Sequence, residues 1–269
     1  MPGLGCSTIS FRHRSLAEAL AIIGELGFDG IDLGGLPGVC AHVPSPLGGD
    51  PAELDGIVRI VAESGLPAWA INVDPGPLNA PDRRDLLDEG RRLVGLAERL
   101  GAAMIVPCGA QGREPITDER TDLDRIGAGL RALGEIAGER GVRLLVEGLH
   151  HFRFCHTADR AAALLERVPH DVAGLVYDVS HAVAGGVDEV ALARDFAERV
   201  EHVHLRDAMP GEINLSIGRG RADFGGVVAA LAGRPARYVL ELETHDVAEA
   251  DRPAAAAAAR DAVAALLPG

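Results

Sequence analysis

Residues 200–207 read Val-Glu-His-Val-His-Leu-Arg-Asp, and this stretch decides the predicted fold. Its alternation of polar and apolar residues is typical of a β-strand and puts His202, His204 and Arg206 on one face. These polar side chains stand at the carboxyl end of the strand, where α/β barrels carry their chemistry. A single histidine in a strand is more often a hydrogen-bonded structural residue than a metal ligand. Whether His204 is a ligand therefore depends on the residues at the ends of the other strands.

Three further strands are predicted to end on a carboxylate. The segments 144–147 (Leu-Leu-Val-Glu), 175–178 (Leu-Val-Tyr-Asp) and 238–241 (Tyr-Val-Leu-Glu) are apolar runs that close on an acidic residue. A carboxylate at the tip of a buried strand has to be paired, hydrogen-bonded or bound to a cation, because an isolated buried charge is very costly.

Two glutamates, an aspartate and a neutral imidazole form a mixed nitrogen and oxygen site that suits one divalent ion of Mn, Mg, Co or Zn. The predicted metal ligands are Glu147, Asp178, His204 and Glu241. Glu243 lies two residues after Glu241, so in an extended strand both side chains point to the same face, and Glu243 is the alternative ligand. Glu241 is preferred because it follows the apolar run directly.

Length and composition narrow the class of protein. The chain has 269 residues, close to the roughly 250 of a closed α/β barrel. Hydrophobic residues make up 47% and charged residues 25%, which indicates neither a disordered chain nor a membrane protein. The first ten residues lack the basic and apolar regions of a signal peptide, and we therefore expect a cytoplasmic protein.

Charge and cysteine content exclude several functions. The net charge of −14 argues against a nucleic-acid partner, because phosphate binding needs clustered cations. All 26 cations are arginine, and without lysine both Schiff-base catalysis and a P-loop are excluded. The four cysteines are widely spaced with no Cys-x-x-Cys pair, which argues against a disulfide framework and a thiolate zinc site.

Eight predicted strands alternate with eight predicted helices over residues 1–269, with no linker between them. The strands are predicted at 6–10, 30–33, 68–73, 103–107, 142–147, 173–178, 200–205 and 238–242. Helix starts are predicted after Ser15, whose capping box includes Glu18, and at Asp50, Thr157 and Asp188. This order predicts a single (β/α)8 TIM barrel domain with a parallel eight-stranded sheet, and a doubly wound open sheet is the alternative. A glycine- and proline-rich loop at 34–49 is predicted to bind substrate or act as a lid.

Several motifs, taken together, resemble a known superfamily. They are Gly-Phe-Asp-Gly-Ile-Asp-Leu at 27–33, Asp-Val-Ser-His at 178–181, His-Leu-Arg-Asp at 204–207 and Gly-Arg-Gly-Arg-Ala-Asp-Phe at 218–224. With the spacing of the four acidic and histidine strand ends, their order resembles the xylose isomerase-like TIM barrel superfamily of sugar phosphate isomerases and epimerases.

The resemblance implies roles for individual residues. It implies that the four predicted ligands bind one metal ion and that Glu147 and Glu241 also act as the acid and base on opposite faces of the substrate. Further residues predicted to contact the substrate are His181, Arg219, His151 and Asp207. His150, His151 and His156 crowd a loop where the family often has asparagine, and we favour exposure or substrate contact over metal binding for them.

The predicted function is a divalent-metal-dependent isomerase or epimerase of a small sugar, sugar phosphate or related polyhydroxy carbonyl compound, which moves a proton through an enediolate. A lyase or dehydratase resembling inosose dehydratase uses the same first step and is the alternative. A non-catalytic sugar-binding barrel and an endonuclease are weaker readings, and the acidic charge argues against the endonuclease. The expected partner is a small carbohydrate, with no nucleic acid and no membrane, and a homo-oligomer is an expectation of the family alone.

Overall fold

The computed structural model describes residues 3–47 and 50–267. Its centre is a closed barrel of eight parallel strands, in which each strand pairs with the next along the chain and β1 pairs with both β2 and β8. The strands are β1 (Leu4–Ser7), β2 (Ile31–Leu36), β3 (Ala68–Val73), β4 (Ala103–Pro107), β5 (Leu144–Glu147), β6 (Gly174–Asp178), β7 (Val200–Leu205) and β8 (Arg237–Leu240). The predicted (β/α)8 TIM barrel is confirmed, and the open sheet is excluded.

Nine α-helices lie within the described residues and cover the barrel. They are α1 (Leu16–Glu25), α2 (Pro51–Ser64), α3 (Arg84–Leu100), α4 (Glu119–Gly138), α5 (Ala158–Arg167), α6 (Val179–Ala184), α7 (Glu189–Phe196), α8 (Phe224–Ala230) and α9 (Arg252–Ala264). The predicted capping box between Ser15 and Glu18 is present, and Asp50, Thr157 and Asp188 each cap the helix that follows. The short helix α6 was not predicted, and it directly follows β6.

The inside of the barrel holds its own small apolar layer. Ala70, Ile105, Leu145 and Val176, one from each of four successive strands, form a cluster separate from the main core. In register with this layer, Asp32 pairs with Ala70 and His202 pairs with Val176. Since successive residues of a strand point to opposite faces, His204 lies on the same inner face as His202 and nearer the carboxyl end of β7.

The connections after the strands differ most from prediction. A short antiparallel pair, Asp207–Met209 with Glu212–Leu215, follows β7, and Cys40–Ala41 pairs with the end of β2. The predicted loop at 34–49 therefore contains a short strand, and its residues 48 and 49 lie outside the described part of the chain. Among the helices of residues 3–47 and 50–267, none has the length and apolar content that a membrane span requires.

Candidate active site

The carboxyl ends of four neighbouring strands bring the predicted ligands together. Glu147 and Asp178 are the last residues of β5 and β6, His204 lies in β7, and Glu241 directly follows β8. Ligand atoms of Glu147, Asp178 and His204 lie within 4.8 Å of one another. Nδ1 of His204 is 3.7 Å from Oε1 of Glu147 and 3.5 Å from Oε2 of Glu241. All four side chains are buried, so their charges are compensated by one another or by a cation.

Asp32 fixes the orientation of the His204 imidazole. Oδ2 of Asp32 lies 3.1 Å from Nε2 of His204 and 2.7 Å from Nε2 of His202. A carboxylate accepts hydrogen bonds, so Nε2 of His204 carries the proton and, in the neutral ring, the lone pair on Nδ1 faces Glu147 and Glu241. A carboxylate that orients the far nitrogen is the usual arrangement behind a metal-binding histidine.

Three buried polar atoms around His204 have no hydrogen-bond partner among the described residues. They are Oδ1 of Asp32, Nδ1 of His204 and Oε2 of Glu241. Buried polar atoms almost always have a partner. In the neutral ring of His204, Nδ1 is an electron-pair donor, and it lies 3.5 Å from Oε2 of Glu241, which is another. A divalent cation satisfies both at once, and the donor set therefore fits a metal ion.

Arg206 separates the roles of the two candidate glutamates after β8. Its Nη2 donates to Oδ2 of Asp178 at 2.9 Å, and its Nη1 donates to Oε2 of Glu243 at 2.7 Å. Glu243 is therefore held by arginine, whereas Glu241 faces His204. Arg206 also donates hydrogen bonds to Ser180 and Asn214. Its guanidinium N–H groups are therefore used within the protein and do not form a phosphate-binding site.

The two glutamates that face His204 lie in different electrostatic environments. Burial raises the pKa of Glu241 to about 7, although His204 and Arg206 oppose that rise. Burial also disfavours ionisation of Glu147, but the imidazoles of His150, His204 and His181 outweigh it and hold the pKa of Glu147 well below its usual range. Burial lowers the pKa of His204, but Glu241, Asp32 and Glu147 outweigh it and hold that pKa well above its usual range. Without a cation the pair of His204 and Glu241 thus holds a proton, and a metal ion competes with that proton.

A cavity of about 270 Å³ opens above the cluster and is reached by Glu147, Glu241, His181 and Arg206. Its other wall includes apolar side chains from the end of β2, from the loop that follows it and from the loop after β5, among them Leu36, Val39 and Phe152. Pockets for small molecules are typically about 300–1,000 Å³, so this one suits a small substrate.

The structure places only one of the four predicted substrate contacts in this cavity, namely His181. Arg219 is exposed and lines a different cavity. The ring of His151 contacts Nη2 of Arg113 and lines a third cavity. Asp207 accepts hydrogen bonds from the backbone N–H groups of residues 218, 220 and 222 and organises that loop instead. The loop backbone, which strand periodicity does not describe, turns these side chains away from Glu147.

The family of the chain follows from a comparison with known proteins. The family model described as xylose isomerase-like TIM barrel matches residues 20–266. The chain belongs to this family. Among its curated relatives, the 3-dehydroshikimate dehydratase of Pseudomonas putida is 26% identical over 243 residues, which is 85% of this chain. The chain spans about a third of that relative's length, 36%.

Solved structures of xylose isomerase-like barrels resemble the whole chain. The D-psicose 3-epimerase of Clostridium cellulolyticum, crystallised with D-tagatose, gives a TM-score of 0.80 at 17% identity and covers 99% of this chain and 100% of its own. The IOLI protein, whose crystal structure holds a zinc atom, gives 0.78 at 17% identity with the same coverage, 99% and 100%. At this identity the likeness establishes the fold.

The sequence leaves two residues of this xylose isomerase-like site undefined. For His150 it predicts exposure or substrate contact, and the structure places its Nε2 3.4 Å from Oε2 of Glu147 inside the cavity. For Asp32, at the end of the predicted second strand, the sequence indicates a supporting or salt-bridge residue rather than a catalytic one. It does not identify the partners, which stand 170 and 172 positions further along the chain.

Replacing Asp32 by Asn is expected to weaken metal binding by about 10- to 100-fold, because a neutral amide is a weaker acceptor than a carboxylate and no longer raises the basicity of His204. Competition with a fluorescent chelator measures this affinity. Glu201→Gln is the matched control, since Glu201 lies on the same strand as His204 but at its other end, bonded to Arg143. Equal affinities of Asp32→Asn and the parent protein would show that Asp32 does not strengthen His204 as a ligand.

Proposed function

We propose that this barrel is a divalent-metal-dependent isomerase or epimerase that moves a proton on the carbon next to the carbonyl of a small polyhydroxylated compound. One observation carries the proposal: two buried glutamates approach the same histidine nitrogen at the floor of a small cavity. Enzymes that need an acid and a base commonly place two carboxylates in different environments.

The metal ion would be held by Glu147, Asp178, His204 and Glu241. When bound, a divalent ion supplies a Lewis acid that draws electrons from the substrate carbonyl and makes the adjacent C–H group more acidic. The donor set of three carboxylates and one imidazole suits manganese, magnesium, cobalt or zinc. This assignment is supported by two of the unpartnered atoms, Nδ1 of His204 and Oε2 of Glu241.

The proton transfer itself falls to the two glutamates. One carboxylate removes the proton, the C–H electron pair moves toward the carbonyl to give an enediolate, and a carboxyl group returns a proton. Return to the opposite face of the same carbon inverts it. Return to the neighbouring carbon, with the hydroxyl proton passing from one oxygen of the enediolate to the other, exchanges aldehyde and ketone. Glu147 and Glu241 both line the cavity and approach the same nitrogen of His204, so one can take the proton and the other can return it.

A dehydratase is the second candidate, and the match to the 3-dehydroshikimate dehydratase over 85% of this chain favours it. The first step is the same proton removal. The electron pair then expels the hydroxyl group on the next carbon, the carbon–oxygen bond breaks, and the departing oxygen takes a proton to leave as water. An unsaturated carbonyl product, which absorbs in the ultraviolet, distinguishes this outcome from an epimer.

Solvent deuterium exchange tests both candidates at their shared step. The metal-loaded protein is incubated in D2O with a panel of ketohexoses, an inosose and 3-dehydroshikimate, and deuterium at carbon is followed by NMR. Exchange into recovered substrate or an epimer supports the isomerase, and loss of water supports the dehydratase. A protein that holds metal and exchanges none of the panel would contradict the proposal.

A further inference from the structure

The loop after β5 presents His150 to the cavity from a closed turn. The backbone N–H of His150 donates to the carbonyl of Cys155 at 2.9 Å, and its own carbonyl accepts from the N–H of Arg153 at 2.9 Å. Within that turn the N–H of Phe152 donates to Nδ1 of the His150 ring at 3.3 Å. The ring is therefore fixed by its own loop, independently of any bound molecule.

The same loop fixes a second imidazole in the same way. The N–H of His151 donates to Nδ1 of His181 at 3.0 Å. The rings of His150 and His181 pack against each other with centroids 3.9 Å apart and planes tilted by 31°. Two adjacent backbone N–H groups of one loop thus each donate to the acceptor nitrogen of one of the two rings. A neutral imidazole has one acceptor and one donor nitrogen, so Nε2 carries the hydrogen in each ring.

Both Nε2–H groups face the cavity beside the same carboxylate. Nε2 of His150 lies 3.4 Å from Oε2 of Glu147, and Nε2 of His181 lies 3.8 Å from Oε1 of Glu147. Both separations are long for a hydrogen bond, whose usual length is about 2.7–3.2 Å. Nε2 of His181 also lies 3.7 Å from Oδ2 of Asp178 and 3.4 Å from Nη2 of Arg206, but that Nη2 donates to Asp178 and both separations are again long. The two donors are therefore available to an oxygen atom that enters the cavity next to Glu147.

We propose that His150 and His181 form a two-donor clamp that binds a single substrate oxygen, the one that gains negative charge as the adjacent proton leaves. This inference rests on the proposed function. It keeps His181 as a predicted substrate contact and, for His150, chooses substrate contact over exposure and assigns the oxygen that is bound. Fixed N–H donors in a buried site stabilise a developing oxyanion strongly, because they do not have to reorient during the reaction. The packed rings and the shared loop supply that fixed geometry.

A second metal ion is the competing interpretation of these residues. Glu147, His150 and His181 also offer ligand atoms within 4.8 Å of one another. A histidine that binds metal through Nε2 must present a lone pair there and carry its hydrogen on Nδ1. In both rings Nδ1 already accepts a backbone N–H, which places the hydrogen on Nε2 and favours the donor role.

The tautomers can be measured without a substrate. Nitrogen-15 NMR of histidine-labelled, metal-loaded protein, with His150→Phe and His181→Phe for assignment, reports which ring nitrogen carries the hydrogen. We expect both rings to be neutral with the hydrogen on Nε2. A hydrogen on Nδ1 of either ring would overturn the inference, because that ring would then offer a lone pair to the cavity.

Kinetics and metal content test the role itself. His150→Phe keeps an aromatic ring for packing but removes the donor, and it is expected to lower kcat for deuterium exchange by about 10²- to 10³-fold with little change in KM. His150→Asn, which keeps an N–H donor, is expected to retain more activity than His150→Phe. His156→Phe is the control, since His156 belongs to the same loop but lines a different cavity.

The outcomes separate this inference from the proposed function. If the parent protein exchanges deuterium and His150→Phe exchanges it equally fast, the clamp is wrong and the proposed function stands. If His150→Phe loses one equivalent of bound metal, the imidazole is a ligand and the clamp is again wrong. A metal-loaded parent that exchanges none of the panel contradicts the proposed function first.

Discussion

Replacing Glu147 or Glu241 by Gln is expected to lower solvent deuterium exchange by about 10²- to 10⁴-fold, the usual contribution of a positioned acid or base. Glutamine keeps the shape of the side chain but cannot take up the proton. Because both residues are also proposed ligands, the metal content of each variant is measured and the rates are compared at equal loading. Glu201→Gln, at the other end of β7, is the control that should exchange at the parent rate.

Glu243→Gln decides between the two glutamates after β8. The structure bonds Glu243 to Arg206 and turns Glu241 toward His204. We therefore expect a smaller loss of exchange in Glu243→Gln than in Glu241→Gln. The reverse order would identify Glu243 as the ligand and the proton carrier, and the assignment of Glu241 would be wrong.

Replacing Arg206 by Leu is expected to lower the free energy of unfolding of the metal-free protein by about 3–5 kcal/mol, the usual cost of removing one partner of a buried ion pair. Arg206 is 3% exposed and donates to both Asp178 and Glu243. Without it, these carboxylates lose their cation in the buried site. Urea denaturation after treatment with a chelator measures the change.

Arg59→Leu provides the comparison for Arg206→Leu. Arg59 bonds Glu63 on the surface of α2, and the two side chains are 67% and 63% exposed. An exposed pair contributes at most about 1 kcal/mol, so this variant should unfold nearly as the parent does. Equal losses in the two variants would show that Arg206 is not needed to compensate the buried carboxylates.

The inner face of the barrel could be predicted from sequence because strand geometry alone fixes it. Alternation in residues 200–205 placed His202 and His204 on one face, and both rings reach Asp32 on the far side of the barrel. Parallel strands bring their carboxyl ends to one edge, so apolar runs that close on a carboxylate converge there. The same reasoning placed β3, β4 and β7 at their observed bounds.

The loops could not be predicted in the same way. Asp178 not only ends β6 but also accepts the N–H groups of Ser180 and His181, and this cap starts α6 where the sequence indicated a loop. The direction of His150 depends on a turn closed by backbone hydrogen bonds to Cys155 and Arg153, which no side-chain pattern records. The directions of the loop side chains therefore become known only from the structure, whereas the directions of the strand side chains could be predicted from the sequence.

Metal content tests the central claim most directly. The parent protein, His204→Ala and the control His170→Ala, an exposed histidine bonded to Glu201, are each loaded with Mn, Co, Mg or Zn, freed of excess ion and analysed for bound metal. We expect about one metal ion per chain in the parent and in His170→Ala, and clearly less in His204→Ala. If the parent holds no stoichiometric metal with any of these ions, arginines and protons compensate the carboxylates, and the proposed isomerase function is contradicted.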